Sequence, residues 1–333
     1  MHLSTIAILW LGSVGLGGTP PCLAQHAQRG STAPSFVDHS PHRERFVNVN
    51  GARLQLLDWG GTGPLLVFLP GFGDGAHIFD DIAPAFRDRF HVVALTPRGF
   101  PPSSAPDSGY TITQLATDVR AVMDTLGAGK AVLAGHSISG AVITRFAELF
   151  PARLLAAVYL DAAFDFGEAY RTSQAVPIRH PPASADTTAP HFRSWVKRYD
   201  TPSTAADADA RMWDIDSADA SRRKALVSAL ATEVRSRPHP FWHVQAPALS
   251  ICSQGSMDRA FGWLTPDSAR WALAERTARD GIARQRRECA EFAHRVPHGR
   301  SLSLPSGHYV FIDQRAAVIH AVRQFLARVL RFG

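Results

Sequence analysis

Four apolar runs constrain this chain more than any other feature: Leu65-Leu66-Val67-Phe68-Leu69, His91-Val92-Val93-Ala94-Leu95, Ala131-Val132-Leu133-Ala134 and residues 154–160. None alternates apolar with polar residues, so each predicts a strand buried on both faces. The segments between them read as helices. Residues 78–86 predict a short amphipathic helix. Residues 111–126 place Leu115, Val119, Val122, Met123 and Leu126 on one helical face, and residues 141–150 predict a helix stopped by Pro151. Residues 45–49 and 54–59 read as an opening hairpin before the turn Gly60-Gly61-Thr62-Gly63-Pro64. This alternation predicts an α/β fold, a mostly parallel sheet flanked by helices on both sides.

Residues 166–243 break the rhythm with a Pro-rich stretch at 176–190 and helical patterns near 192–199 and 206–235. The rhythm resumes at Ala248-Leu249-Ser250-Ile251-Cys252. A long polar helix follows over roughly 266–294, then a last strand near 301–304 and a last helix at 316–330. The expected organisation is a core of residues 44–165 and 244–333, with a helical lid, 166–243, inserted after the sixth strand.

Residues 1–24 read as a signal peptide. A mostly apolar stretch at 5–17 is followed by Thr19-Pro20-Pro21, with small residues at Cys22 and Ala24 before Gln25. The stretch is shorter than the roughly 18–20 residues of a spanning helix, so a secreted or periplasmic product with no stable membrane span is expected. Residues 25–43 read as a flexible leader, with His39 and His42 in a solvated linker rather than a metal site. Cleavage leaves Cys252 and Cys289, either bridged in an oxidising compartment or, the reading weighed slightly ahead, two separate buried thiols. The formal charge of +6 is interspersed with acids, as in Arg87-Asp88-Arg89, and no run of five basic residues occurs. Nucleic-acid binding is therefore not expected. No CxxC or metal-ligand spacing occurs, and neither a metal nor a cofactor is expected.

The chemistry concentrates at Gly135-His136-Ser137-Ile138-Ser139-Gly140, between a predicted strand and a predicted helix. A serine there occupies a tight turn with its hydroxyl above the sheet, and small residues are required around it. A serine hydroxyl needs a base. His308, in Pro305-Ser306-Gly307-His308-Tyr309 between the last strand and last helix, is the candidate, because that loop lies at the sheet edge where the serine stands.

Together these motifs resemble the α/β-hydrolase superfamily over residues 44–331, which implies an eight-stranded sheet. The resemblance implies a nucleophile at Ser137, a base at His308 and an oxyanion hole from the backbone N–H groups of Phe72 and Ile138. The loop Leu69-Pro70-Gly71-Phe72-Gly73-Asp74 supplies the first of these, with Pro70 where His often stands. Gly71-Phe72-Gly73-Asp74-Gly75-Ala76 also mimics a dinucleotide fingerprint, but two strands precede it and the next strand ends in Thr96 rather than an acid. Thr96-Pro97-Arg98-Gly99-Phe100 reads as structural. For the acid that orients His308 the resemblance leaves two places. Leu160-Asp161-Ala162-Ala163 resembles a strand-six context used by some lipases and favours Asp161; the loop after the next strand offers Asp258 at a longer spacing.

What this implies is a serine hydrolase acting on a small or medium carboxylic ester through an acyl-enzyme. Phe192, Trp195, Tyr199 and Trp213 of the lid are candidates for an apolar pocket. Perhydrolase (haloperoxidase), acyltransferase and C–C bond hydrolase chemistry share these motifs, and a non-catalytic ligand-binding member is the alternative of another class. Epoxide hydrolases and dehalogenases carry Asp where Ser137 stands, which weighs against them.

Overall fold

The computed structural model describes residues 40–168, 220–236, 241–255 and 268–329. In chain order the described elements are β1 (Arg43–Val49), β2 (Ala52–Gly60), β3 (Leu65–Leu69), β4 (His91–Leu95), α1 (Ile112–Thr125), β5 (Ala131–His136), α2 (Ser139–Leu149) and β6 (Leu154–Leu160). Then come α3 (Ala220–Ser236), β7 (Ala248–Ser253), α4 (Ser268–Arg295), β8 (Gly299–Leu304), the one-turn α5 (Val310–Asp313) and α6 (Arg315–Val329), with short 3-10 turns between. The strands form one eight-stranded sheet in the order β1-β2-β4-β3-β5-β6-β7-β8. β1 and β2 pair antiparallel, as do β2 and β4, and every other pair is parallel.

The apolar runs are buried on both faces because each strand feeds two cores. Leu65, Val67 and Leu69 of β3 enter a core shared with α1, α2, α3 and α4, while Leu66 and Phe68 enter one shared with α6. The period-two geometry of a strand makes this division. Thr111 caps α1 by accepting from the Gln114 N–H at 3.1 Å. Residues 78–86 depart from the expected helix and form two 3-10 turns, Ala76–Phe79 and Ala83–Phe86. Pro84, which lacks an N–H and crowds the preceding turn, prevents a continuous helix.

Of the expected lid, residues 220–236 form a helix whose Val227, Leu230 and Val234 join the core. Its Glu233 Oε2 accepts the Ile112 N–H at 2.8 Å, at the start of α1. Phe192, Trp195, Tyr199, Trp213 and the alternative acid Asp258 lie outside the described residues, as do residues 1–39. His42, expected in a solvated linker, is instead 5% exposed at its side chain and packs edge-on against Trp59. No helix among the described residues is long and apolar enough to cross a membrane.

Two features brace the core. Arg98 grips Asp118 through Nε at 2.6 Å and Nη2 at 2.7 Å, both partners buried, and Asn50 and Gln114 also donate to Asp118. Cys252 and Cys289 are bridged, with Sγ atoms 2.09 Å apart. This overturns the reading of separate thiols. The partners are 37 residues apart in sequence, and they meet because α4 folds back onto β7, a tertiary event that spacing does not encode. Opening a loop of that size should cost about 2–4 kcal/mol. Cys289→Ser should therefore lower the urea midpoint of unfolding, and an unchanged midpoint would show that the bridge does not stabilise the fold.

Candidate active site

Parallel strands that end together put their following loops along one edge. Leu69 of β3 pairs with Gly135 of β5, His136 with Leu160 of β6, Leu160 with Ile251 of β7, and Ser253 with Leu304 of β8. The loops carrying Phe72, Ser137, Asp161 and His308 all leave from that edge, where open α/β sheets form their ligand crevices.

Ser137 sits between β5 and α2 with φ at +53°, a left-handed conformation costly for a side-chain-bearing residue. The turn closes by hydrogen bonds from the N–H groups of Gly140 to Ser137 O and Ala141 to Ile138 O. The neighbours must be small. A Cβ on Gly140 would stand 2.0 Å from the Ala162 carbonyl oxygen, and one on Gly135 would stand 2.9 Å from Ser139 Cβ. Ser139 itself is tolerated, and its hydroxyl donates to the Pro70 carbonyl at 2.5 Å, tying the serine turn to the Pro70–Gly73 loop. Phe72 and Ile138, the two expected oxyanion donors, both line a small, mostly apolar cavity of about 20 Å³.

His308 and Asp161 meet. His308 Nδ1 lies 2.7 Å from Asp161 Oδ2, and both side chains are 2% exposed. A carboxylate only accepts, so Nδ1 is protonated and donates to Asp161. Nε2 is buried and has no hydrogen-bond partner among the described residues. Asp161 also has a left-handed backbone, φ +47°, and its N–H donates to Ile251 O at 2.7 Å. Burial by itself would raise the Asp161 carboxyl. The hydrogen bond and charge of His308, with two hydrogen bonds from Ser253, outweigh burial and hold it below the usual carboxylate range.

His136, the residue before Ser137, was not singled out by sequence. Its Nε2 lies 3.1 Å from the His308 carbonyl, an acceptor, so this nitrogen is the donor. Its ring centroid lies 4.5 Å from that of His308, with the rings tilted at 47°. Burial, then the nearby His308 charge, lowers its pKa, favouring the neutral ring. His136 thereby fixes the backbone of His308 beside the serine turn. Ser253 and Gln285, which hydrogen-bond Asp161, also carry no local signal. One group of potential metal ligands occurs among the described residues: His42, His77 and Asp80, with donor atoms within 4.8 Å of one another. The 3.0 Å hydrogen bond between His77 and Asp80 accounts for that contact without an ion.

The fold and the edge cluster define an α/β scaffold built around a serine on a strand-to-helix turn. A family model described as the alpha/beta hydrolase fold matches residues 64–314, and the chain belongs to that family. It is 31% identical over 101 residues to the 2-(acetamidomethylene)succinate hydrolase of Mesorhizobium japonicum, a match covering 30% of this chain and 36% of the relative. It is 37% identical over 119 residues to epoxide hydrolase A of Mycobacterium tuberculosis, covering 34% and 37%. These matches span little more than a third of the curated relatives' length. Among solved structures, a "probable hydrolytic enzyme" from Pseudomonas aeruginosa PAO1 superposes with a TM-score of 0.65 at 20% identity, covering 88% of this chain and 96% of that one.

Glu288, on α4, makes stability depend on pH. Burial pushes its pKa up to about 7; Arg284 opposes this, and Glu168 and Asp165 add to it. Between its ordinary value and about 7 the folded protein holds a proton that the unfolded chain releases. Stability should therefore fall as pH rises through that window and level off above it. Glu288→Gln should remove this slope and stabilise the protein at pH 8 by roughly 1–3 kcal/mol. Urea unfolding from pH 5 to 8 checks it; parallel curves for the two proteins would contradict it.

Proposed function

We propose that the protein is a serine hydrolase that cleaves a small or medium carboxylic ester through an acyl-enzyme. The observation that carries this is the buried Asp161–His308 pair, whose second imidazole nitrogen makes no hydrogen bond among the described residues, at the sheet edge where Ser137 stands. In the mechanism, His308 Nε2 takes the Ser137 hydroxyl proton as Oγ attacks the ester carbonyl. Asp161 stabilises the imidazolium that forms. The Phe72 and Ile138 N–H groups hold the developing oxyanion. His308 returns the proton to the departing alcohol, and water releases the acid by the same steps.

Family membership and the hydrolase names of the relatives support hydrolysis in general. The hydroxyl at position 137 supports acyl transfer over alkyl chemistry, since epoxide hydrolases and dehalogenases place a carboxylate there. Purified protein should hydrolyse p-nitrophenyl esters within a series of rising acyl length and be labelled by a fluorophosphonate. Ser137→Ala should remain folded, escape labelling and lose activity by several orders of magnitude. Retained activity in that variant would refute the proposal.

We further propose export, with cleavage before Gln25. The Cys252–Cys289 bridge supports it, since such bonds persist in oxidising compartments. Mass spectrometry of the protein recovered from periplasm or medium should find an N-terminus near Gln25. An intact Met1 on a cytoplasmic product would count against it.

A further inference from the structure

Asp161 is engaged by more than His308. Its Oδ1 accepts the Ser253 backbone N–H at 2.8 Å and the Gln285 side-chain amide at 2.9 Å. Its Oδ2 accepts the Ser253 hydroxyl at 3.0 Å besides His308 at 2.7 Å. Four donors meet the roughly four lone-pair directions a carboxylate offers. The Ser253 hydroxyl has one proton, directed at Asp161, so its oxygen must accept elsewhere. It does so from Gln285 Nε2 at 2.7 Å. Both contacts of Nε2 are then donations, which sets the orientation of the amide. Gln285, Ser253 and Asp161 thus form a closed, buried ring of hydrogen bonds with each donor and acceptor matched.

The ring spans three elements: the end of β6, the end of β7 and the middle of α4. It is also covalently braced. Cys252 immediately precedes Ser253, and Cys289 lies one helical turn beyond Gln285. The bridge therefore holds against each other the two elements from which the acid's second and third partners project.

We infer that Ser253 and Gln285 are positioning residues that hold the Asp161 carboxylate ionised and aimed at His308. This rests on the serine-hydrolase reading above. Neither residue would touch the substrate. Without them a buried carboxylate left with unfilled lone pairs can rotate off Nδ1 or take up a proton, and in either case support for the imidazolium is lost.

The test is the steady-state hydrolysis of the best p-nitrophenyl ester across pH. Gln285→Leu should lower kcat on the order of tenfold or more with KM unchanged, since the imidazolium forms only on the way to the transition state. Ser253→Ala, which removes only the hydroxyl, should act in the same direction and serves where the leucine variant does not fold. Rates are normalised to sites titrated with the fluorophosphonate, so a loss of folded protein does not count as a loss of kcat. A merely structural glutamine, once replaced, would leave kcat per titrated site at the wild-type value. Asp161→Asn is measured in parallel and should cost on the order of 10⁴-fold. If it does while the Gln285 and Ser253 variants keep wild-type kcat and pH profile, the inference is overturned and the serine mechanism stands. If Asp161→Asn is itself fully active, the mechanism beneath the inference falls.

Discussion

The parallel register of β3, β5, β6, β7 and β8 is the constraint on which every other feature of the site depends. Each strand contributes a loop to the same edge only because its last residue lies within two residues of its neighbour's end, from Leu69 through to Leu304. A slip of one residue would exchange the two faces of a strand and move the following loop by about 3.3 Å. The fully apolar strands do not resist such a slip by facing water on one side. They resist it through size matching in two cores, with Leu66 and Phe68 filling one and Leu65, Val67 and Leu69 the other.

Set on that edge, the site is an exercise in keeping charge where the interior disfavours it. Asp161 is buried and would be neutral if left alone, and its neighbours reverse that outcome by hydrogen bonding. Glu288, on the same helix as Gln285, shows the opposite result: burial and two nearby carboxylates prevail over Arg284. The difference lies in the number and directness of donors. Arg284 stands 3.6 Å from Glu288, while Asp161 has donors within hydrogen-bonding distance on both oxygens.

Much of this architecture is legible in the sequence because it is written locally. The apolar runs mark strands, Pro151 and Thr111 mark helix limits, and the Gly135–Gly140 turn shows itself by small residues between a strand and a helix. Asp161 is legible only through the resemblance of Leu160-Asp161-Ala162-Ala163 to a lipase strand-six context, and the structure brings it against His308. The features that escaped are long-range ones. Gln285 is one polar residue among many on a polar helix, and only the docking of α4 onto β7 distinguishes it. The Cys252–Cys289 bridge depends on the same docking. The broken helix at 78–86 differs in kind, since Pro84 is a local signal that outweighs the amphipathic pattern there.

Ser137 and Asp161 share a backbone feature that, among the described non-glycine residues, recurs only at Asn50. Both have positive φ, a conformation glycine adopts without steric penalty. At both positions, then, local backbone comfort and the side chain pull in opposite directions. A directed-evolution screen scored on thermal resistance alone would reward glycine at position 137, relaxing the turn and deleting the hydroxyl, whereas glycine at position 161 would strand four buried donors. Any search for hardier variants of this protein needs a functional filter at position 137 above all others.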